Sequence, residues 1–190
     1  MVFDFSTCRS LLLQGLLDAI LAHTQAIASI KRIPNIEHPI SAISFDILPW
    51  FPRVGFSLRT VSDADKWRFE PAAWEHTDIA SNITFAGLEP ATTYLEQAYS
   101  SADSPTGEAA AEIAHMMFLA GAEALLDPKV AMCLQSVDVN APLVTDGFLR
   151  NNQCFEYFVF DGDKTIHANY CEIVIANRVA ARWLRTGASG

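Results

Sequence analysis

Ile43-Ser44-Phe45-Asp46-Ile47, then Leu48-Pro49-Trp50-Phe51-Pro52-Arg53, then Val54-Gly55-Phe56-Ser57-Leu58 is the stretch on which the fold class turns. On either side of the Pro-bearing link, apolar residues alternate with small or polar ones. That period of two marks strands with one buried face, because successive side chains of a strand point to opposite sides. Two such runs so close together predict an antiparallel hairpin. The link is longer than the tightest turns, so an irregular loop is expected at its tip.

Outward from the hairpin the period changes. Upstream, Leu13, Leu16, Leu17, Ile20, Leu21 and Thr24 recur at helical spacing, with Gln14 and Asp18 four apart on the other face. This predicts a helix from about Ser6 to Ile30, capped by Ser6 or Thr7. Asp4 precedes the apolar run and polar residues interrupt it, so it reads as a mature amphipathic helix rather than a secretory signal. Downstream, Val61 to Asp65 reads as a turn. Pro71 suits a first helical position, and Phe69 and Trp74 have hydrophobic-staple spacing, which predicts a helix from Pro71 to about Ser81. Glu89-Pro90 repeats the start signal for a helix through Tyr99. After a Ser/Asp/Pro/Gly loop, an Ala-rich helix is expected from Glu108 to Leu126. Met132, Leu134, Val137 and Val139 suggest a third strand, and Phe155 to Phe160 a fourth. A last helix, from about Thr165 to Leu184 and capped by Asp163, ends in Arg178, Arg182 and Arg185, which complement its carbonyl end. The expected architecture is α+β. An antiparallel sheet of about four strands is packed by the N-terminal, Ala-rich and C-terminal helices. Residues 1–185 form one domain and 186–190 a flexible tail.

Composition narrows the function. Apolar residues make up 51% of the chain and charged ones 18%, enough to fill a core. The net charge of −9 argues against a nucleic-acid partner, which needs a basic face, and against docking on anionic lipid. Mean hydropathy is +0.18, yet every apolar run carries polar interruptions, so no membrane span is expected. Cys8, Cys133, Cys154 and Cys171 are scattered and form no C-x-x-C, which fits reduced cysteines in a cytoplasmic protein and neither zinc nor redox chemistry.

No stretch carries a standard catalytic or nucleotide-binding motif. Glu108, Glu112 and His115 share a helix face, but a carboxylate–imidazole metal site needs matching ligands from other helices. No metal or other cofactor is expected. His76 beside Glu75 and Asp78, or Glu112 with His115, are the candidates for acid–base work. Cys8, next to Arg9 at a helix start, has the best electrostatics for a thiolate.

The most informative segment runs from Trp50 to Asp78. It holds three of the four tryptophans, Trp50, Trp67 and Trp74, and the phenylalanines Phe51 and Phe69, interleaved with Asp63, Asp65, Glu70, Glu75 and Asp78. The three tryptophans and five acids are the candidate partner-binding set. Aromatic anchors concentrate binding energy, and a ring of acids steers a basic partner. The plainer alternative is that the aromatics are core and the acids ordinary surface.

Phe69-Glu70-Pro71-Ala72-Ala73-Trp74 resembles the aromatic-x-Pro-x-x-Trp stretch of the bacterial domain-of-unknown-function family 4303. The resemblance extends to the order of elements from about Phe5 to Ser81. Phe69 stands where the family has Trp, and Ala73 where it has an acid. The resemblance implies no established activity. Two functional readings follow. One is a non-catalytic protein-binding domain, in its sharper form an immunity-like protein that neutralises a basic toxin. The other is an enzyme with an unrecognised site built around histidine and carboxylate residues. A homodimer is a further possibility, given the apolar fraction.

Overall fold

The computed structural model describes residues 2–30, 36–102, 107–144, 155–161 and 168–187, with the side chains of all but Trp67, Thr186 and Gly187. The class is α+β, as the alternation implies. The hairpin is formed by β1 (Ile40–Leu48) and β2 (Arg53–Thr60), in antiparallel register with Phe45 opposite Phe56. β3 (His76–Ser81) adds antiparallel to β2, and β4 (Glu156–Phe158) adds parallel to β1. The four-stranded order is β3-β2-β1-β4. The sheet is therefore mixed. A parallel strand needs a crossover, and the helical half of the chain lies between β1 and β4.

Alternation sorts the two faces. Ile43, Phe45, Ile47, Val54, Phe56, Leu58 and Tyr157 point to the inner face, and all belong to the main core. The helices α1 (Phe5–Ala22), α2 (Thr24–Ile30), α3 (Glu89–Ser100), α4 (Glu108–Leu125), α5 (Pro128–Ser136) and α6 (Tyr170–Gly187) make up the helical layer on this side. α4 lies directly on β1: a Cβ on Gly121 would sit 2.1 Å from Ile47 Cδ1. α1 buries Cys8, Leu12, Leu13, Leu16, Ala19 and Ile20. By length and composition this helix is long and apolar enough to cross a membrane, as the core helix of a soluble protein also can be, and the bent pair α4–α5 passes the same test together. In the structure both belong to the packed helical layer.

Three local expectations are corrected. First, the N-terminal helix is two. Its cap is Asp4, which accepts from the Thr7 amide at 2.6 Å, and it ends at His23, whose ring bonds the Ala19 carbonyl at 2.8 Å. Second, the helix expected over 71–81 is a single 3-10 turn, Pro71–Ala73, followed by β3. β2 is buried along nearly its whole length, so its outer amides and carbonyls need a second strand. Trp74 turns to extended backbone and leaves the helical path. Third, the strand expected around Met132–Val139 is helical. Asp127 accepts from the Lys129 amide at 3.0 Å, Pro128 takes the first position, and Val130, Ala131 and Leu134 bury one helical face. Asp163, Thr165 and Cys154 lie outside the described residues; the C-terminal helix is described from Tyr170 to Gly187, past the expected start of the tail.

Candidate functional site

The outer face of the sheet is polar where the inner face is apolar. Ala42, Ser44 and Asp46 of β1 share it with Gly55, Ser57 and Arg59 of β2 and with Glu156 and Phe158 of β4, by alternation and register. The segment 61–75 folds back over part of this face. Trp74, only 2% exposed, packs on Ala42 and Phe158 in a small second core, with Phe160 at its margin. Phe69 stands edge-on to Phe158 and Phe160, at 6.1 and 6.2 Å between centroids.

Charged groups fasten the segment at both ends. Asp63 accepts from the amides of Thr60 at 2.7 Å and Glu75 at 3.0 Å. Partial burial pushes its carboxyl pKa up, but these amides, the Thr60 hydroxyl and the charge of His76 outweigh that, so it lies below the ordinary carboxylate value. Arg68 clasps Glu156 through both nitrogens of its fork, with Nε to Oε2 at 3.0 Å. This hydrogen bond is the chief cause of the raised Arg68 pKa, opposed by burial and aided by the charges of Glu156, Asp65 and Glu172. Across Ala42, whose small side chain leaves the space, the 8%-exposed Arg59 side chain pairs with Asp65 at 3.0 Å and Glu156 at 3.6 Å.

Beside this covered part lies a hydroxyl–carboxylate cluster. Ser44 and Ser57 each donate to one oxygen of Asp46, at 2.6 and 2.7 Å. Ser57 in turn accepts from the Asp78 amide at 3.0 Å, and Arg53 pairs with Asp78 at 2.7 Å. Asp78 has φ +55, which places a left-handed kink in β3 next to its register shift against β2. Burial raises the Asp46 pKa to about 6. The two serine bonds and Arg53 pull it down, and the Asp78 charge adds to the rise.

The eight residues singled out in the sequence thus have different placements. Asp65 (98% exposed side chain), Glu70 and Glu75 face solvent on the segment. Asp63 is used in holding the backbone, and Asp78 lies near Arg53 in the cluster. Trp74 is buried beneath the segment. Trp50 is half-buried on the helical side, edge-on to Phe118 at 6.0 Å. Trp67 closes the 3-10 turn Asp65–Trp67, and its side chain lies outside the described residues. Phe69, 56% exposed and outside the eight, is the aromatic that segment 61–75 offers to solvent among its described side chains. Asp46, Arg59, Arg68 and Glu156 were also missed. In the sequence Asp46 and Arg59 look like the solvent side of an alternating pattern, Glu156 lies in an apolar run and Arg68 in a loop; strand register places Asp46 against Ser57 and Arg59 near Glu156, and the fold-back of segment 61–75 brings Arg68 to Glu156.

The other candidates are placed as follows. His115 Nδ1 lies 3.0 Å from the Tyr170 hydroxyl, and Glu112 is exposed. Burial, with the Asp161 charge, pushes the Tyr170 pKa up to about 12. Cys8 does not have the environment of a thiolate: burial, with the charge of Asp4, raises its pKa to about 12, and Arg9 turns away to Asp127 at 2.6 Å. Cys133 and Cys171 are raised too, chiefly by burial, and all three are free thiols. Among the described residues, no three His, Cys, Asp or Glu side chains gather as metal ligands. Comparison with family models, with curated proteins and with solved structures returns no match.

Proposed function

We propose that the chain is a protein-binding domain that presents segment 61–75, on the outer face of the sheet, to a basic partner. In the sharper form of this reading it is an immunity-like cytoplasmic protein that neutralises a basic toxin, with kinship to family 4303 suggested by Phe69–Trp74. One observation carries the reading. The segment is fastened by Asp63, Trp74 and the Arg68–Glu156 clasp, while Asp65, Phe69, Glu70 and Glu75 remain outward. A surface held in place before binding loses little entropy on association, and the outward carboxylates of Asp65, Glu70 and Glu75 suit a basic partner. The test is capture from a lysate of the source organism on two baits, the native chain and the triple variant Asp65→Lys/Glu70→Lys/Glu75→Lys. A basic protein held by the first, lost from the second and weakened by salt supports the reading. Equal recovery on both baits refutes it.

A second reading, an enzyme, is favoured by Asp46. Its pKa of about 6 suits proton transfer near neutrality, and both its oxygens carry serine hydroxyls. On this reading a panel of small substrates yields an activity that Asp46→Asn abolishes and that falls as pH drops through about 6. An activity indifferent to Asp46→Asn refutes it.

A further inference from the structure

We propose that Asp46 works a proton-operated latch on the edge strand β3: with its carboxyl protonated, Ser57 ties β3 down, and with it ionised the tie is withdrawn and β3 loosens. The device is built into the sheet and rests on neither functional reading above. Ser57 is the place where backbone pairing holds β3 least. Phe56 pairs with Ala80 and Leu58 with His76, so Ser57 alone faces Thr77, Asp78 and Ile79. A bulge of this kind breaks the ladder, and here a side chain bridges the break. The buried Ser57 hydroxyl accepts from the Asp78 amide at 3.0 Å and lies 3.4 Å from the Thr77 hydroxyl. Asp78 is the residue with φ +55, a left-handed backbone that persists in a side-chain-bearing residue only where its surroundings hold it.

A serine hydroxyl has one hydrogen to give. With Asp46 ionised, Ser57 gives it to Asp46 Oδ2 at 2.7 Å, and Ser44 gives its own to Oδ1 at 2.6 Å. The exposed Thr77 hydroxyl is then left to water or to the lone pairs of Ser57. When Asp46 takes up a proton, one of its oxygens becomes a donor and the serine facing that oxygen must accept. Ser44 has no other partner among the described residues, so its hydrogen would be stranded in a buried place. Ser57 has Thr77 within reach. The proton therefore settles on Oδ2, Asp46 donates to Ser57, and Ser57 donates to Thr77. One proton enters, and one hydrogen bond changes its acceptor from β1 to β3. Charge acts in the same sense. The charged groups around Asp46 are Asp78 and Arg53, and Arg53 is paired with Asp78 at 2.7 Å. Ionised Asp46 repels Asp78 across Ser57, and protonation removes that repulsion. Desolvation places the titration at about 6, against the pull of the two serine bonds. The effect passes along the chain, because β3 opens at His76 directly after Glu75, whose amide Asp63 holds. The latch thus reaches the C-terminal fastening of segment 61–75.

Hydrogen exchange of the full chain, read by mass spectrometry at about pH 5 and about pH 8 with times corrected for the intrinsic rate, tests this. Between the two, protection of residues 76–81 in the native chain is expected to fall about five- to tenfold more than that of β1. Asp46→Asn, whose amide both donates and accepts as the protonated acid does, is expected to keep β3 protected at both pH values. Thr77→Val keeps the shape but removes the hydroxyl on which the latch closes. It is expected to lower protection at the acid value and so narrow the step about twofold or more. His76→Gln, which removes the imidazole at the start of β3, is expected to keep the step. A native β3 whose protection changes with pH no more than that of β1 overturns the proposal. So does a step that survives Asp46→Asn, one that Thr77→Val leaves whole, or one that His76→Gln abolishes.

Discussion

Asp46 is the residue whose environment conflicts most with its charge. Its pKa rises from the ordinary 3.8 to about 6, chiefly because it is desolvated on the sheet. The folded state therefore holds the proton more tightly than the unfolded chain does. The sign follows: this group's stabilising contribution is complete below about pH 4, declines as pH rises, and is lost above about 6, a difference on the order of 3 kcal/mol. Asp63 acts in the opposite direction. Its lowered pKa contributes stability that is lost as pH falls below the ordinary carboxylate range. Together these two groups contribute most just above the ordinary carboxylate range, below the raised pKa of Asp46. In denaturant melts at a series of pH values, Asp46→Asn should flatten the decline above that optimum and stabilise the protein at pH 8 by about 1–3 kcal/mol. A native profile without that decline would contradict this account. In the sequence Asp46 showed only as the polar member of an alternating strand; its desolvation arises from β2 and from Ser44 and Ser57 closing around it.

At the scale of elements, the alternating hairpin and the long helices were legible because each buries its own apolar face. β3 was not. Its sequence, His76-Thr77-Asp78-Ile79-Ala80-Ser81, follows a strong helix-start signal, and only the vacant edge of β2 decides for a strand. The 128–136 segment failed in the reverse sense: its apolar residues were counted as a strand although Asp127-Pro128 carries a helix start. The β2–β3 contact makes its own prediction. A Cβ on Gly55 would lie 2.7 Å from the Ala80 carbonyl oxygen and 3.3 Å from Asp78 Oδ1, so the strands approach only because position 55 has no side chain. Gly55→Ala should cost about 1–3 kcal/mol, with hydrogen exchange accelerating first in β3. Exchange accelerated evenly across the sheet would show that the close approach is not where the strain falls.

For the whole molecule, the same division of faces organises the functional reading. The inner face and helices make the core, and the outer face carries the polar cluster and the fastened acidic segment. The acidic–aromatic segment was legible as a composition. Which of its members face outward was not, because Trp74 and Asp63 are used in holding the segment and Phe69 takes the outward place. The central claim is that this segment is a preformed acidic docking surface. The most direct measurement is stopped-flow association of the captured partner with the native chain and with Asp65→Lys/Glu70→Lys/Glu75→Lys, over a range of ionic strength. The account predicts an association rate about tenfold or more lower for the variant at low salt, with the two rates converging as salt rises and dissociation little changed. Equal association rates at low salt would contradict it.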